Sequence, residues 1–425
     1  MGEWNSCTLG EVLTLQRGFD LPNQKRNAGS FPVVASTGIV GYHDEAKVPA
    51  PGVVIGRSGS IGGGQYLNVD FWPLNTTLWV KDFHGNNERY CYYLLKSLDF
   101  SVFNVGSGVP TLNRNHVHPW PVLHPLRKEQ DKIVEVLGSL DDKIELNRRT
   151  NETLEKMAQA LFRDWFVDFG PVRRKMEGAR DPADIMGSFV QNPDEAARIA
   201  ALFPATIGDN GLPEGWRKEN LESVADQIAM GPFGSNIKVE TFVESGIPVI
   251  SGTHLKHTRL EDGNYNFVSR EHAAKLARSN VRRGDVIFTH AGNIGQVAII
   301  PERSKYSRYV ISQRQFYLRC NPELMSPLFV VHFFKSHIGQ HVLLANSSQV
   351  GVPSIARPSS YLKSIVINCP PMEILHVFDA HVSLLHVEAS QNDEQNQTLA
   401  QTRDYLLPKL MSGRIHAGAA ETMVA

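Results

Sequence analysis

Residues 133–165, IVEVLGSLDDKIELNRRTNETLEKMAQALFRDW, decide the architecture. Within them Ile133, Leu137, Leu140, Ile144, Asn147, Asn151, Leu154, Ala158, Leu161 and Trp165 alternate spacings of four and three, the heptad seam of a coiled coil. At 1.5 Å per residue the stretch rises about 48 Å, longer than most helices confined to one domain. Adding 245 to each number gives Phe378, Val382, Leu385, Ala389, Asn392, Asn396, Leu399, Arg403, Leu406 and Leu410, a second seam with one cationic exception at Arg403. Each seam carries two asparagines at its centre. An asparagine there costs stability but fixes register and orientation. With Asn147 opposite Asn396 and Asn151 opposite Asn392, an antiparallel pair fills every layer and sets Ile133 against Leu410 and Trp165 against Phe378. A parallel pair within one chain would need a long return connection. The sequence therefore predicts two long antiparallel coiled-coil helices with pseudo-two-fold symmetry about the asparagine layers.

The repeat continues outside the helices. Val54-Ile55-Gly56-Arg57-Ser58-Gly59-Ser60-Ile61-Gly62 and Ile287-Phe288-Thr289-His290-Ala291-Gly292-Asn293-Ile294-Gly295 both read as strand, loop, strand, with glycines at an offset of 233. Gly108-Val109-Pro110-Thr111-Leu112 matches Gly351-Val352-Pro353-Ser354-Ile355 at 243. Pro22, Pro32, Gly38, Gly41, Pro49 and Gly52 punctuate short strands such as 52–55 and 77–80, and Arg89 to Ser97 reads as a short helix. Residues 1–125 are thus a first mixed domain, 126–166 the first long helix, and 167–212 a polar, turn-rich connector with a short helix near Pro193–Leu202. Residues 213–370 are the second mixed domain, 371–413 the second long helix, and 414–425 a flexible tail. The fold class is α+β: two mixed α/β domains joined by the two long antiparallel helices.

Composition narrows the function classes. The chain has 425 residues, 42% hydrophobic and 20% charged, an ordinary globular make-up for two or three domains. No apolar run reaches the roughly 18 residues of a membrane span, and Met1 to Asn5 lacks the features of a signal peptide, so a cytoplasmic protein without a membrane partner is expected. Cys7, Cys91, Cys320 and Cys369 are scattered, which argues against a disulfide framework and a zinc site. None of the 16 histidines falls in a metal-binding motif, so no metal is expected. Net charge is −1, but between Arg270 and Arg319 ten basic residues face three acidic ones. A local basic face of that kind suits either phosphate contact or plain solvation.

With these features the chain resembles the type I restriction–modification specificity subunits, in which each of two target-recognition domains is followed by a repeated long helix. The most specific pieces are Leu161-Phe162-Arg163-Asp164-Trp165-Phe166-Val167-Asp168-Phe169 and Leu406-Leu407-Pro408-Lys409-Leu410-Met411-Ser412-Gly413 at the helix ends, with Gly215-Trp216 opening the second domain. One element departs. Family helices open on Pro-Pro-Leu-x-x-Gln, matched by Pro125-Leu126-Arg127-Lys128-Glu129-Gln130, whereas Pro370-Pro371-Met372-Glu373-Ile374-Leu375 lacks the glutamine. The resemblance implies a subunit that binds double-stranded DNA, has no catalytic residues and carries no cofactor. It implies two modification subunits that methylate adenine with S-adenosylmethionine, and two restriction subunits driven by ATP and Mg²⁺.

Domains related by a pseudo-two-fold axis meet DNA as a dimer does, on inverted half-sites. Because the two domains differ in sequence, the target is expected to be split and asymmetric. Helices of about 60 Å limit the separation to roughly 18 base pairs. Base reading needs polar side chains on short supported loops. The candidates are Arg57, Ser58, Ser60, Gln65, Asn113 and Arg114 in the first domain, and His290, Asn293, Gln296, Gln313, Arg314 and Arg357 in the second. Arg17, Lys25, Lys238, Lys256 and Arg308 suit phosphate contact. The glycines of 59–64 and 292–295 suit tight turns better than a nucleotide cradle. Trp165 and Phe166 suit either packing under the adjoining domain or docking of a modification subunit.

Two rival readings stay open on sequence. One is a methyltransferase acting alone, for which Asn368-Cys369-Pro370-Pro371-Met372 is the nearest catalytic motif. The other is a coiled-coil scaffold that does not bind DNA.

Overall fold

The computed structural model describes residues 4–103 and 110–424; Gly108 and Val109 of the first Gly-Val-Pro-Thr-Leu segment lie outside the described residues. The chain divides into two compact units, Met1–Asn147 with Asp393–Ala425, and Arg148–Asn392. Each division falls inside a long helix, Arg127–Phe162 or Met372–Met411. Each unit has its own apolar cores.

The two units share one plan. In the first, Trp4–Thr8 pairs antiparallel with Pro121–Pro125, which runs straight into the first long helix. In the second, Arg217–Asn220 pairs antiparallel with Val366–Cys369, which runs straight into the other. Each unit then holds a four-stranded antiparallel sheet. Its order is Thr14–Arg17, Thr77–Asp82, Gly52–Gly56, Gly62–Leu67 in the first unit, and Ala225–Met230, Gln315–Cys320, Val286–Thr289, Val297–Ile299 in the second. The strands Gly52–Gly56 and Val286–Thr289 are buried along their whole length, which is why both read as unbroken apolar runs. A second sheet in each unit, three-stranded in the first and five-stranded in the second, has a parallel step, Val33 to Trp72 and Val249 to Val310.

The long helices meet within each unit. In the first, Ile133, Leu137 and Leu140 share a core with Leu406 and Leu410. There the Asn147 amide donates to Asn396 Oδ1 at 3.0 Å and to Gln395 Oε1 at 2.7 Å. Arg403 leaves the seam: its guanidinium donates to Asp141 Oδ1 at 2.8 Å, while Tyr93 donates to Asp141 Oδ2 at 2.7 Å. In the second unit, Asn392 donates to Asn151 Oδ1 at 2.9 Å, and Asn151 donates to the Ala389 carbonyl at 3.1 Å. Trp165 lies 6.3 Å from Phe378, ring centre to ring centre. In both units rising numbers on one helix meet falling numbers on the other.

Two expectations are corrected, and one open alternative is decided. Residues 414–425 are not a frayed tail, because Ala417–Val424 is helical and Ala417 and Ala420 are buried in the first unit's core. Small residues at a spacing of three let this last helix approach closely, and small size alone had suggested fraying. The 167–212 connector is not a polar linker. Besides the expected helix Pro193–Leu202, Gly170–Met176 and Pro182–Met186 are helical, and Val172, Ile185, Met186, Ile199 and Phe203 join the second unit's core. The first long helix is regular to Phe162 and widens at Arg163–Val167, which sends both Trp165 and Phe166 into that core at 0% and 3% exposure. Packing, not docking, accounts for these two aromatics.

Gln130 explains the helix-opening motif. It is buried, donates to Asn86 Oδ1 at 2.9 Å and to the Pro125 carbonyl at 3.0 Å, and accepts from the Asn87 backbone N–H at 3.0 Å. Asn87 caps the helix Glu88–Ser97. The equivalent residue of the second unit, Leu375, is fully buried among apolar neighbours instead. There the cap of the matching helix Pro327–Lys335, Ser326, is tied to the long helix by donating to Asp379 Oδ1 at 2.5 Å. The glutamine can therefore be absent without loosening the junction.

Candidate nucleic-acid interface

The two stretches matched by sequence become one constructed feature in each unit. In the first, the loop between Gly52–Gly56 and Gly62–Leu67 is laced to the segment 110–112. Leu112 N–H donates to the Arg57 carbonyl at 2.7 Å, Gly59 N–H to the Pro110 carbonyl at 3.1 Å, and Ser58 bridges Thr111. In the second, Ile355 N–H donates to the His290 carbonyl at 2.9 Å, Gly292 N–H to the Pro353 carbonyl at 2.9 Å, and Ala291 bridges Ser354. All three links correspond. Gly59 and Gly292 sit at φ +83° and +85°, and Gly62 and Gly295 at +74° and +86°, a left-handed backbone that favours glycine. The glycines thus shape the turn that offers the intervening side chains.

In the first unit this lacing gathers Arg57, Ser58 and Ser60 with Asn113 and Arg114. Ser60, Asn113 and Arg114 are exposed, and Arg57 and Ser58 half-buried. Arg57 donates to the Asn75 carbonyl at 3.3 Å, and the Asn75 amide donates to Asp20, which also pairs with Arg17 at 3.5 Å. Arg17 is thereby linked to the same cluster. Asn113 accepts from Asn115 N–H at 3.0 Å, so its oxygen caps the short helix Arg114–Val117. Gln65 lies on the strand beyond the loop, half-buried, and Lys25 is exposed on a separate turn.

In the second unit the lacing gathers His290 and Asn293 with Gln313, Arg314 and Arg357. His290 N–H donates to the Arg314 carbonyl at 2.9 Å, and its ring Nε2–H to the Gln313 carbonyl at 3.1 Å. Burial lowers the His290 pKa, so the ring is neutral at pH 7 and presents Nδ1 as an acceptor. Asn293, Gln313, Arg314 and Arg357 are exposed. Gln296 is turned inward and accepts from Thr289 Oγ1 at 3.3 Å. Lys238, Lys256 and Arg308 are exposed on other loops, and Arg308 is held by Asn280 Oδ1 at 2.6 Å.

The basic stretch divides into two kinds of residue. Arg319 makes a bidentate pair with buried Asp285 at 2.8 and 2.7 Å and serves the core. Arg270, Lys275, Arg278, Arg282, Arg303, Lys305 and Arg314 stay exposed. Lys275 and Arg278 were counted in the basic stretch but not among the candidates, because a loop distant in sequence creates their setting. Asn368 and Cys369, the nearest match to a methyltransferase motif, end a strand paired to Arg217–Lys218, and the Pro371 carbonyl accepts the first N–H bonds of the second long helix. Among the described residues no three His, Cys, Asp or Glu side chains converge as a metal site, and no helix is long and apolar enough to cross a membrane.

Polar side chains held on laced loops, twice over, form a candidate recognition surface. The family model for the type I restriction modification DNA specificity domain matches residues 1–156. The HindI specificity subunit of Haemophilus influenzae is 25% identical over an alignment covering 98% of this chain and all of the relative. The MjaIX specificity subunit of Methanocaldococcus jannaschii is 26% identical over 82% of this chain and 75% of its own length. The crystal structure of a type I S subunit from M. genitalium shares the fold, with a TM-score of 0.54 over 96% of each chain at 15% identity. Residues 1–156 thus match the type I specificity domain, and the chain as a whole is similar to type I restriction–modification specificity subunits.

Proposed function

We propose that this subunit reads a split, asymmetric DNA target, one half with residues 1–125 and the other with 213–370. The long helices 126–166 and 371–413 act in this reading as an antiparallel coiled coil that relates the two recognition domains by a pseudo-two-fold axis and sets the gap between half-sites. The observation that carries the reading is the matched lacing of Arg57–Leu112 and His290–Ile355. One backbone frame built twice, with different side chains on it, suits inverted half-sites of different sequence. Base contact falls to Arg57, Ser58, Ser60, Gln65, Asn113 and Arg114 in one unit, and to His290, Asn293, Gln313, Arg314 and Arg357 in the other. Gln296 supports the loop rather than reading from it. Arg17, Lys25, Lys238, Lys256 and Arg308 hold phosphates.

The chain itself does no chemistry in this reading. Two modification subunits bring S-adenosylmethionine and methylate adenine, and two restriction subunits bring ATP and Mg²⁺. The complex works in the cytoplasm, where its DNA is. Methylated adenines in DNA from cells that express this chain with its modification subunit test the proposal. A two-part motif with unlike halves is expected; a continuous or palindromic motif would refute it.

A further inference from the structure

Gly18 and Gly231 hold the same place in the two units. Each follows the first strand of its four-stranded sheet. Each donates its N–H across the sheet, to the Thr77 carbonyl at 3.1 Å and the Gln315 carbonyl at 2.8 Å. A Cβ on either would lie 2.2 Å from the Leu74 carbonyl or 2.0 Å from the Ser312 carbonyl, so both must be glycine. The residues that follow differ. In the first unit Phe19 turns inward against Trp72 and Trp79, and Asp20 faces out. In the second, Pro232 takes the buried place and Phe233 stands out at 80% exposure, the most exposed aromatic among the described residues.

The Phe233 loop is built rather than loose. Gly234 at φ +47° turns the chain, Asn236 N–H donates to the Phe233 carbonyl at 3.2 Å, and His272 Nε2–H donates to the Asn236 carbonyl at 2.7 Å. Beside the ring lies a cleft of about 800 Å³, lined among others by Gln227, Asn236, Lys275 and Arg278 and by no carboxylate. Lys275 and Arg278 are exposed, and neither pairs with an acid among the described residues. Through Gly231 the loop abuts Ser312, next to Gln313 and Arg314.

An apolar ring flanked by unneutralised cations and amides complements a nucleic-acid edge, where apolar base faces and thymine methyls lie between phosphates. We propose that Phe233 is a specificity-determining residue: its ring contacts a base of the half-site read by the second unit, with Lys275 and Arg278 on the flanking phosphates. This rests on the DNA-reading function above. It makes the two half-sites unlike in kind, since the first unit offers a carboxylate at that place.

The test enriches duplexes with randomised centres on the full chain assembled with its modification subunit, as wild type, Phe233→Ala and Phe233→Trp. Wild type is expected to enrich a two-part motif. Phe233→Ala should relax base preference in one half only and weaken binding to the wild-type motif about tenfold, with affinity for random duplexes and its salt dependence unchanged. Phe233→Trp should restore the preference. Enrichment of the unaltered motif by Phe233→Ala at unaltered affinity would overturn the proposal, as would equal weakening on random duplexes. A wild-type protein that enriches no motif would instead overturn DNA reading itself.

Discussion

Replacing Asn147 with leucine tests the helix pairing at its centre. Asn147 is 2% exposed, and its amide serves two oxygens, on Gln395 and Asn396. Gln395 is exposed and regains water when the amide is gone. Asn396 is half-buried, so it bears the loss. A stranded polar group costs about 1–3 kcal/mol, and the new leucine recovers part of that by burial. Asn147→Leu alone should therefore destabilise by about 1–2 kcal/mol. Asn396→Leu alone should cost about 1 kcal/mol, because it removes one of the two acceptors of the Asn147 amide while Gln395 keeps the other. The double variant removes both polar groups and fills the layer with apolar atoms, and should be near neutral or more stable than wild type. The coupling in this cycle should thus be about 2 kcal/mol or more, well outside the roughly 0.5 kcal/mol of independent sites. Urea denaturation of the full chain, followed by circular dichroism, reads all four proteins. Additive effects would refute direct contact between the two asparagines. Cysteines at 147 and 396 give the orientation separately: they should crosslink, and a crosslink of 147 to 392 instead would show parallel pairing.

Acid should weaken the second unit. His332 and His386 are buried with pKa values lowered to about 3 and about 4, first by burial, then by each other's ring at His332 and by Arg259 at His386. The unfolded chain takes up these protons near pH 6.5 and the folded unit does not, so stability is lost as pH falls below 6.5. At pH 5 that is about 2 kcal/mol for each ring. Asp379, raised to about 6 by burial against its bond from Ser326, opposes this by about 1 kcal/mol, while Glu155, held near 2, stays ionised. A net loss of about 3 kcal/mol between pH 7.5 and 5 should appear in urea midpoints; a flat profile would contradict the buried neutral pair. Trp165→Ala should cost about 3–5 kcal/mol by opening a cavity among Phe166, Phe203 and Phe378, measured by the same denaturation. Gly292→Val forces a branched side chain to φ +85° and should abolish preference for one half-site, read by enrichment from random duplexes, while the other half is kept. One heptad added to each long helix should change the gap between half-sites in methylation patterns; an unaltered gap would end the spacing role.

The heptad seams were plain in the sequence because helix neighbours are a few residues apart, so a periodic pattern reports them directly. The repeat of Arg57–Gly62 in His290–Gly295 was plain for a similar reason: turns need glycine at fixed places whatever surrounds them. The lacing of each loop to residues 110–112 or 353–355 was half visible, since both strings recur but nothing local says that they touch. Other features left no local mark. Gln130 looked like a motif letter, and its three-way stitch to Asn86, Asn87 and Pro125 exists only when the helix Glu88–Ser97 is in place. Arg319 counted as one more cation of the basic stretch until Asp285 closed on it.

By itself the sequence determined a duplicated chain with two long helices and two glycine-shaped loops. Those follow from near-neighbour stereochemistry, which a linear pattern records. The tertiary structure decided which polar groups remain free to meet a partner. It buried Trp165 and Phe166, drew the connector and the last helix into cores, and spent Arg319 and Gln296 on internal bonds. It also left Phe233 standing beside Lys275 and Arg278. Burial and pairing between residues dozens of positions apart depend on the whole fold, so the candidate surface had to be seen assembled.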